Sequence, residues 1–282
     1  MGANSRNIQY FNILFDRNVM VRSTDSDLLF VYLGVHQQFD AAGIRVIIQF
    51  NSPGAHFRKY VDCSKLVSEL RNDARADISL LGNGISVPHA LCLLHYMSGC
   101  DDISHTRAFT KLFCTKTLLK YGSFVFGIET SVRDLVLPTN LQALIGVNVR
   151  FIIALYANKY ANCFEQPLAV TYQNSNLNDQ ETLTSMLEQH RKVTWHKTIH
   201  IKNTVPSYQS VVLRTRRLLY AVQKIFNALT PLIESWNIQD WGWIIDGGTI
   251  KTQVISIMLI PLSKIYSLTE DYLAKTHPYS FK

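Results

Sequence analysis

Acidic residues are scarce in this sequence. Asp and Glu number 21 in 282 residues against 28 Lys and Arg, leaving a formal net charge of +7. Charged residues make up 17% and apolar ones 47%, a balance that supplies a sizeable core and excludes wholesale disorder. Long hydrophobic runs are missing. The longest, Phe151–Tyr156 and Val254–Leu262, are too short to cross a bilayer. The opening MGANSRNIQY lacks the apolar segment of a secretory signal, and its sixth position is not the Ser or Thr of a myristoylation site. Cysteine is sparse as well: five residues, an odd number without paired spacing, suit a reducing compartment. An intracellular protein is expected, with no membrane association and the nucleus as a candidate compartment.

Several chemistries lack their motifs. No G-x-x-x-x-G-K-[ST] loop and no G-x-G-x-x-G turn is present to cradle a nucleotide, and no G-x-S-x-G elbow presents a serine. Cys163 stands in no context that would activate a thiol. Cys92, His95, Cys100 and His105 follow a C-x2-H-x4-C-x4-H spacing that matches a zinc knuckle. Cys92 and His95 fall on an apolar helix, however, where free cysteine is commonly a packing residue, so zinc is not the expected cofactor. Trp195, Trp236, Trp241 and Trp243 are expected to be packing anchors.

Periodicity predicts a buried strand at 19–22, a helix at 27–39, a strand at 44–50 and, after the turn residues NSPGA, a strand at 56–61. Helices follow at 63–71 and from Pro88 to Gly99. Strands alternating with helices predict an α/β fold with a mostly parallel sheet over residues 1–128. The pattern then becomes helical over 129–250, with helices at 141–160, 182–195 and 207–229. A strand–turn–strand hairpin around Asp246-Gly247-Gly248 runs into a final strand and tail at 251–282.

Two features bear on function. Residues 189–233 contain no acid, yet hold Arg191, Lys192, Lys197, Lys202, Arg214, Arg216, Arg217 and Lys224, a one-sign stretch suited to a polyanion or simply to a solvated face. On the helix 207–229, Val211, Val212, Leu218, Leu219, Val222, Ile225 and Phe226 share one arc. Arg214, Arg217 and Lys224 fall outside it and are expected to form a basic outer face that contacts phosphates. The second feature is "TDSDLL": Asp25 and Asp27 stand where a strand gives way to a helix, and Asp101-Asp102 follow the helix that ends at Gly99. Carboxylates at the carboxyl end of a sheet strand can hold Mg²⁺ or Mn²⁺ through oxygen ligands. The alternative is purely structural: Asp25 caps the helix, Asp27 favours its first turn, and Asp101-Asp102 form a polar loop.

The segments "VMVRSTDSDLLFVYL", "HFRKYVDCSKLVSEL" and "HALCLLHYMSGCDDIS" occur in the order found in PIN-like nucleases related to the 5′-flap endonucleases, which this chain resembles. It resembles more closely a group of metazoan, mobile-element-associated proteins with a PIN-like region, through "VPSYQSVVLRTRRLLYAVQKIF" and "WGWIIDGG". The resemblance implies a PIN-like fold and a metal-dependent nuclease ancestry, with Asp25, Asp27 and Asp101 as catalytic metal ligands and Asp102 assisting. It also implies DNA or RNA as the partner, held by Arg107, Lys111, Arg214, Arg217 and Lys224. The G-K-G-K-rich segment of such nucleases is replaced by "HTRAFTK", and Asp16 is the sole acid before Asp25. The domain is therefore expected to be incomplete at its N-terminus and its hydrolysis weak or lost, leaving a nucleic-acid-binding or protein-interaction module as the alternative.

Overall fold

The computed structural model describes residues 10–12, 18–50, 59–100, 103, 109–164, 166, 168–172, 176–195, 204–228 and 237–252. A four-stranded sheet in the order β1-β2-β3-β4 is formed by β1 (Tyr10–Asn12), β2 (Asn18–Ser23), β3 (Arg45–Phe50) and β4 (Lys59–Asp62). β2 and β3 are parallel, with Val19 opposite Val46 and Val21 opposite Ile48. Their crossover is helix α1 (Asp27–Ala41), whose buried face includes Tyr32, Leu33, Val35 and His36.

The flanking strands correct the expectation of a mostly parallel sheet, because β1 and β4 both run antiparallel to their neighbours. Chain length explains β4. Eight residues separate Phe50 from Lys59, fewer than the dozen or so that a parallel crossover needs. The first residues of the strand expected at 56–61 lie outside the described residues.

Around the sheet stand α2 (Cys63–Arg71), α3 (Ala74–Ser79), α4 (Val87–Ser98), α5 (Lys111–Phe126), α6 (Val132–Leu135), α7 (Leu141–Lys159), α8 (Leu168–Thr171), α9 (Gln180–Thr194) and α10 (Tyr208–Phe226). Caps mark several starts: Asp62, Asp73, Thr110, Asp179 and Ser207 each accept a backbone N–H in the first turn of the helix they precede. Pro88 opens α4, and Gly99, at φ 106°, stops it. The hairpin β5 (Trp243–Asp246) and β6 (Thr249–Thr252) turns at Gly247 and Gly248, both at positive φ as its tight turn requires.

One continuous apolar core runs from Val21 and Ile48 through α4 to α7 and α10, crossing residue 128 without a break. α1, α4 and α10 meet most closely at Gly34. A Cβ there would lie 2.9 Å from Ile225 Cγ2 and 3.0 Å from Cys92 Sγ, so the site admits no side chain. α7 and the turn before it, Pro138–Lys159, are long and apolar enough to cross a bilayer, and 78% of that window is buried inside the protein. Arg150 in its middle is 1% exposed and donates to the carbonyls of Val125, Phe126 and Leu177 and to Asn178 Oδ1. These bonds tie off the carboxyl end of α5, where backbone carbonyls lack helical partners.

Candidate functional site

The site forms where β2 ends. Ser23 Oγ accepts the amide of Asp25 (2.9 Å) and donates to its carbonyl (3.2 Å), folding the chain sharply after the strand. Asp25 Oδ1 then accepts the amide of Asp27 at 2.9 Å, an Asx turn that launches α1 in place of a cap by Ser26, whose side chain makes no such bond. Asp27, in the first turn of α1, is thereby fixed at the edge of the site.

Two groups from other elements converge on it. His95, in the last turn of α4, brings Nε2 to 3.3 Å from Asp27 Oδ2. Lys111, the first residue of α5, places Nζ 3.8 Å from Asp27 Oδ1 and 3.1 Å from His95 Nδ1. The His95–Asp27 approach is electrostatic rather than a well-formed hydrogen bond, since Nε2 has no partner of good geometry and is buried. With Lys111 donating to Nδ1, the imidazole is neutral and carries its proton on Nε2, facing the carboxylate. Its ring stacks on Phe30 at 4.3 Å and meets Tyr96 edge-on at 5.2 Å. Burial pushes the His95 pKa down; Asp27 opposes this and Lys111 adds to it. The His95 side chain is 1% exposed, whereas those of Asp27 and Lys111 are 35% and 44% exposed, so the carboxylate and the ammonium form the solvent-facing rim.

Of the expected site residues, Asp25, Asp27 and Lys111 are thus brought together. Asp101, Asp102 and Arg107 lie outside the described residues. Their flanks are fixed: Cys100 and Ile103 exchange backbone hydrogen bonds of 3.0 and 3.1 Å directly beyond α4. Among the described residues no group of three or more His, Cys, Asp or Glu side chains could hold a metal ion. Of the zinc-like set, His95 faces Asp27 and Cys92 is sealed against Gly34, its thiol pushed up to about 12 by burial; His105 lies outside the described residues.

The basic outer face expected on α10 is corrected. Arg214 and Arg217 are 8% and 6% exposed. Arg214 Nη2 donates to the Met97 carbonyl in the last turn of α4, and Arg217 Nη1 donates to the Gly242 carbonyl at 3.0 Å. Both guanidinium groups are desolvated and each donates to a backbone carbonyl. They are unavailable to phosphates. Lys224 is exposed, over the Tyr220 ring at 4.1 Å, and Arg216 is exposed too. The apolar arc is observed: Val211, Leu218, Leu219, Val222 and Phe226 are buried, and Val212 and Ile225 pack against them. Among the tryptophans, Trp243 is buried and Trp241 packs on the core, whereas Trp195 is 54% exposed; Trp236 lies outside the described residues.

His95 is the site residue that sequence reasoning missed. Its spacing suggests only a zinc ligand, and helical spacing alone does not reveal that its ring reaches the start of α1. Comparison with protein-family models, curated proteins and solved structures finds no match.

Proposed function

We propose that this chain is a nuclease-like, nucleic-acid-binding protein of PIN-like, mobile-element ancestry whose carboxylate centre is neutralised from within, so that binding outlasts hydrolysis. The observation that carries this reading is the pairing of Asp27 with Lys111 and His95. In a hydrolytic centre of the two-metal kind, carboxylates gather two cations about 4 Å apart to activate water and stabilise the leaving oxygen. Here Asp25 spends one oxygen on an amide, and an ammonium and an imidazole already face Asp27. The described donors therefore do not fit Mg²⁺ or Mn²⁺, and no catalytic step is derived through either ion. What such a rim can do is hold a phosphate: Lys111 offers a half-exposed cation at the carboxyl end of a parallel strand. The net charge of +7 supports a polyanionic partner.

The test pairs binding with cleavage. Labelled flap, single-stranded and duplex oligonucleotides are titrated without metal and then incubated with Mg²⁺ or Mn²⁺. Binding without Asp27-dependent cleavage is expected. Robust cleavage lost in Asp27→Asn would restore the metal-dependent nuclease reading.

A further inference from the structure

With two of the α10 arginines turned inward, the basic surface lies elsewhere. The sequence has no acid from 103 to 128 or from 135 to 164, stretches that contain all of α5 and α7. On α5, Phe113, Lys116, Thr117 and Lys120 fall within an arc of about 100°. Lys116 and Lys120 are exposed and Phe113 is half-buried. The end of α7 completes this face. Lys120 Nζ donates to Asn158 Oδ1 at 3.3 Å, and Asn158 Nδ2 donates to Thr117 Oγ1 at 2.9 Å. Exposed Lys159 lies over two rings, 5.2 Å from the centroid of Phe109 and 5.5 Å from that of Tyr160. Phe109 in turn stacks on Phe113 at 5.4 Å.

We propose that this face, made of Phe109, Phe113, Lys116, Lys120, Lys159 and Tyr160, binds single-stranded nucleic acid. The inference rests on the nucleic-acid-binding reading above and adds where the strand lies and what form it takes. Three ammonium groups interleaved with half-buried rings match an unpaired strand, whose phosphates seek cations and whose bases seek flat apolar partners. A duplex hides its base faces and could use the lysines alone. Lys116 makes no ion pair or hydrogen bond among the described residues, so its charge is available outright. Glu188 of α9 acts electrostatically on Arg191, as does Tyr156.

The experiment measures fluorescence anisotropy of a labelled oligo-dT 12-mer, and of a hairpin duplex, with the full chain across a salt series. The triple variant Lys116→Gln, Lys120→Gln, Lys159→Gln is expected to weaken single-strand binding and to flatten the log–log salt slope by about 2, at about 0.7 per lost phosphate contact. Phe113→Leu is expected to weaken single-strand binding by about tenfold and leave duplex binding unchanged. Lys116→Glu, at a position with no internal partner to lose, repeats the charge test independently of folding. Wild-type affinity and slope in the triple variant overturn the proposal while leaving nucleic-acid binding itself intact. Equal losses on duplex and single strand overturn the assignment to an unpaired strand. Preferential binding to phosphatidylserine vesicles, lost in the same variants, would assign the face to a membrane instead. A chain that binds no oligonucleotide at all defeats the broader reading too.

Discussion

Nε2 of His95 lies 3.3 Å from Oδ2 of Asp27, joining the last turn of α4 to the first turn of α1. Because His95 is buried and Asp27 is not, the contact holds the carboxylate in place while leaving one oxygen toward solvent and Lys111. Asp27 is therefore a positioned charge with internal partners, and its behaviour depends on theirs.

Removing Lys111 should be felt at His95. The ammonium is one of the influences that lower the His95 pKa, while Asp27 works to raise it. In Lys111→Met the raising influence is left less opposed, and the His95 pKa should move up. An imidazole titration followed by NMR checks this; an unmoved His95 resonance would show that the ammonium does not reach the ring in solution.

Acid should destabilise the fold before its carboxylates titrate. Burial pushes His89 down to about 3 and His190 down to about 4, and it lowers His36 and His95 in the same direction. In the unfolded chain each takes a proton near 6.5, so below that pH the unfolded state binds more protons. Their contribution is fully present above about 6.5 and is lost as the pH falls toward 4 for His190 and toward 3 for His89. Each histidine that differs by a whole proton costs about 1.4 kcal/mol per pH unit. Urea midpoints at pH 7.5, 6 and 5 should fall progressively; a flat profile over that range would contradict neutral burial.

Gly34→Ala tests a close approach in the core. The added methyl would press on Ile225 Cγ2, Cys92 Sγ and the Phe226 ring at 2.9 to 3.1 Å, where α1, α4 and α10 converge. Overpacking of this kind costs about 1–3 kcal/mol, more than the helix preference for alanine returns. An unchanged or raised midpoint would mean that the three helices can part freely.

Arg214 and Lys224, which sequence alone assigns to one outer face, should differ in what their loss costs the fold. Arg214→Gln leaves the Met97 carbonyl without its buried donor, a loss of about 1–3 kcal/mol. Lys224→Gln, at an exposed position, should stay within about 0.5 kcal/mol. Chemical denaturation of the two single variants decides it, and equal stability of both would refute the capping role of Arg214.

Much of this fold was legible from periodicity because its helices carry clear apolar stripes and firm ends. Pro88 and Gly99 delimit α4, and Ser207 and the Val211–Phe226 stripe define α10. Periodicity does not reveal α5. Its buried set mixes Cys114, Thr117, Leu118 and Gly122, and Tyr121 departs from helical backbone angles, so no stripe emerges. Strand direction was hidden as well, since alternation specifies which face is buried and not which way a neighbour runs. The arginines misled for a different reason. Outward placement is the usual fate of a guanidinium, but the Met97 and Gly242 carbonyls meet α10 only in three dimensions. In the site, the turn chemistry of Ser23, Asp25 and Asp27 could be read from neighbours in sequence. The convergence of His95 and Lys111 spans three helices and could not.

The most direct measurement is a Mn²⁺ titration of the whole chain followed by electron paramagnetic resonance, with Asp27→Asn alongside. Neutralisation of Asp27 by Lys111, with the His95 imidazole against its other oxygen, calls for no stoichiometric Mn²⁺ site that depends on Asp27, so the two titrations should superimpose. One or two bound ions per chain, lost in Asp27→Asn, would show that the carboxylate is a working metal ligand and contradict the account.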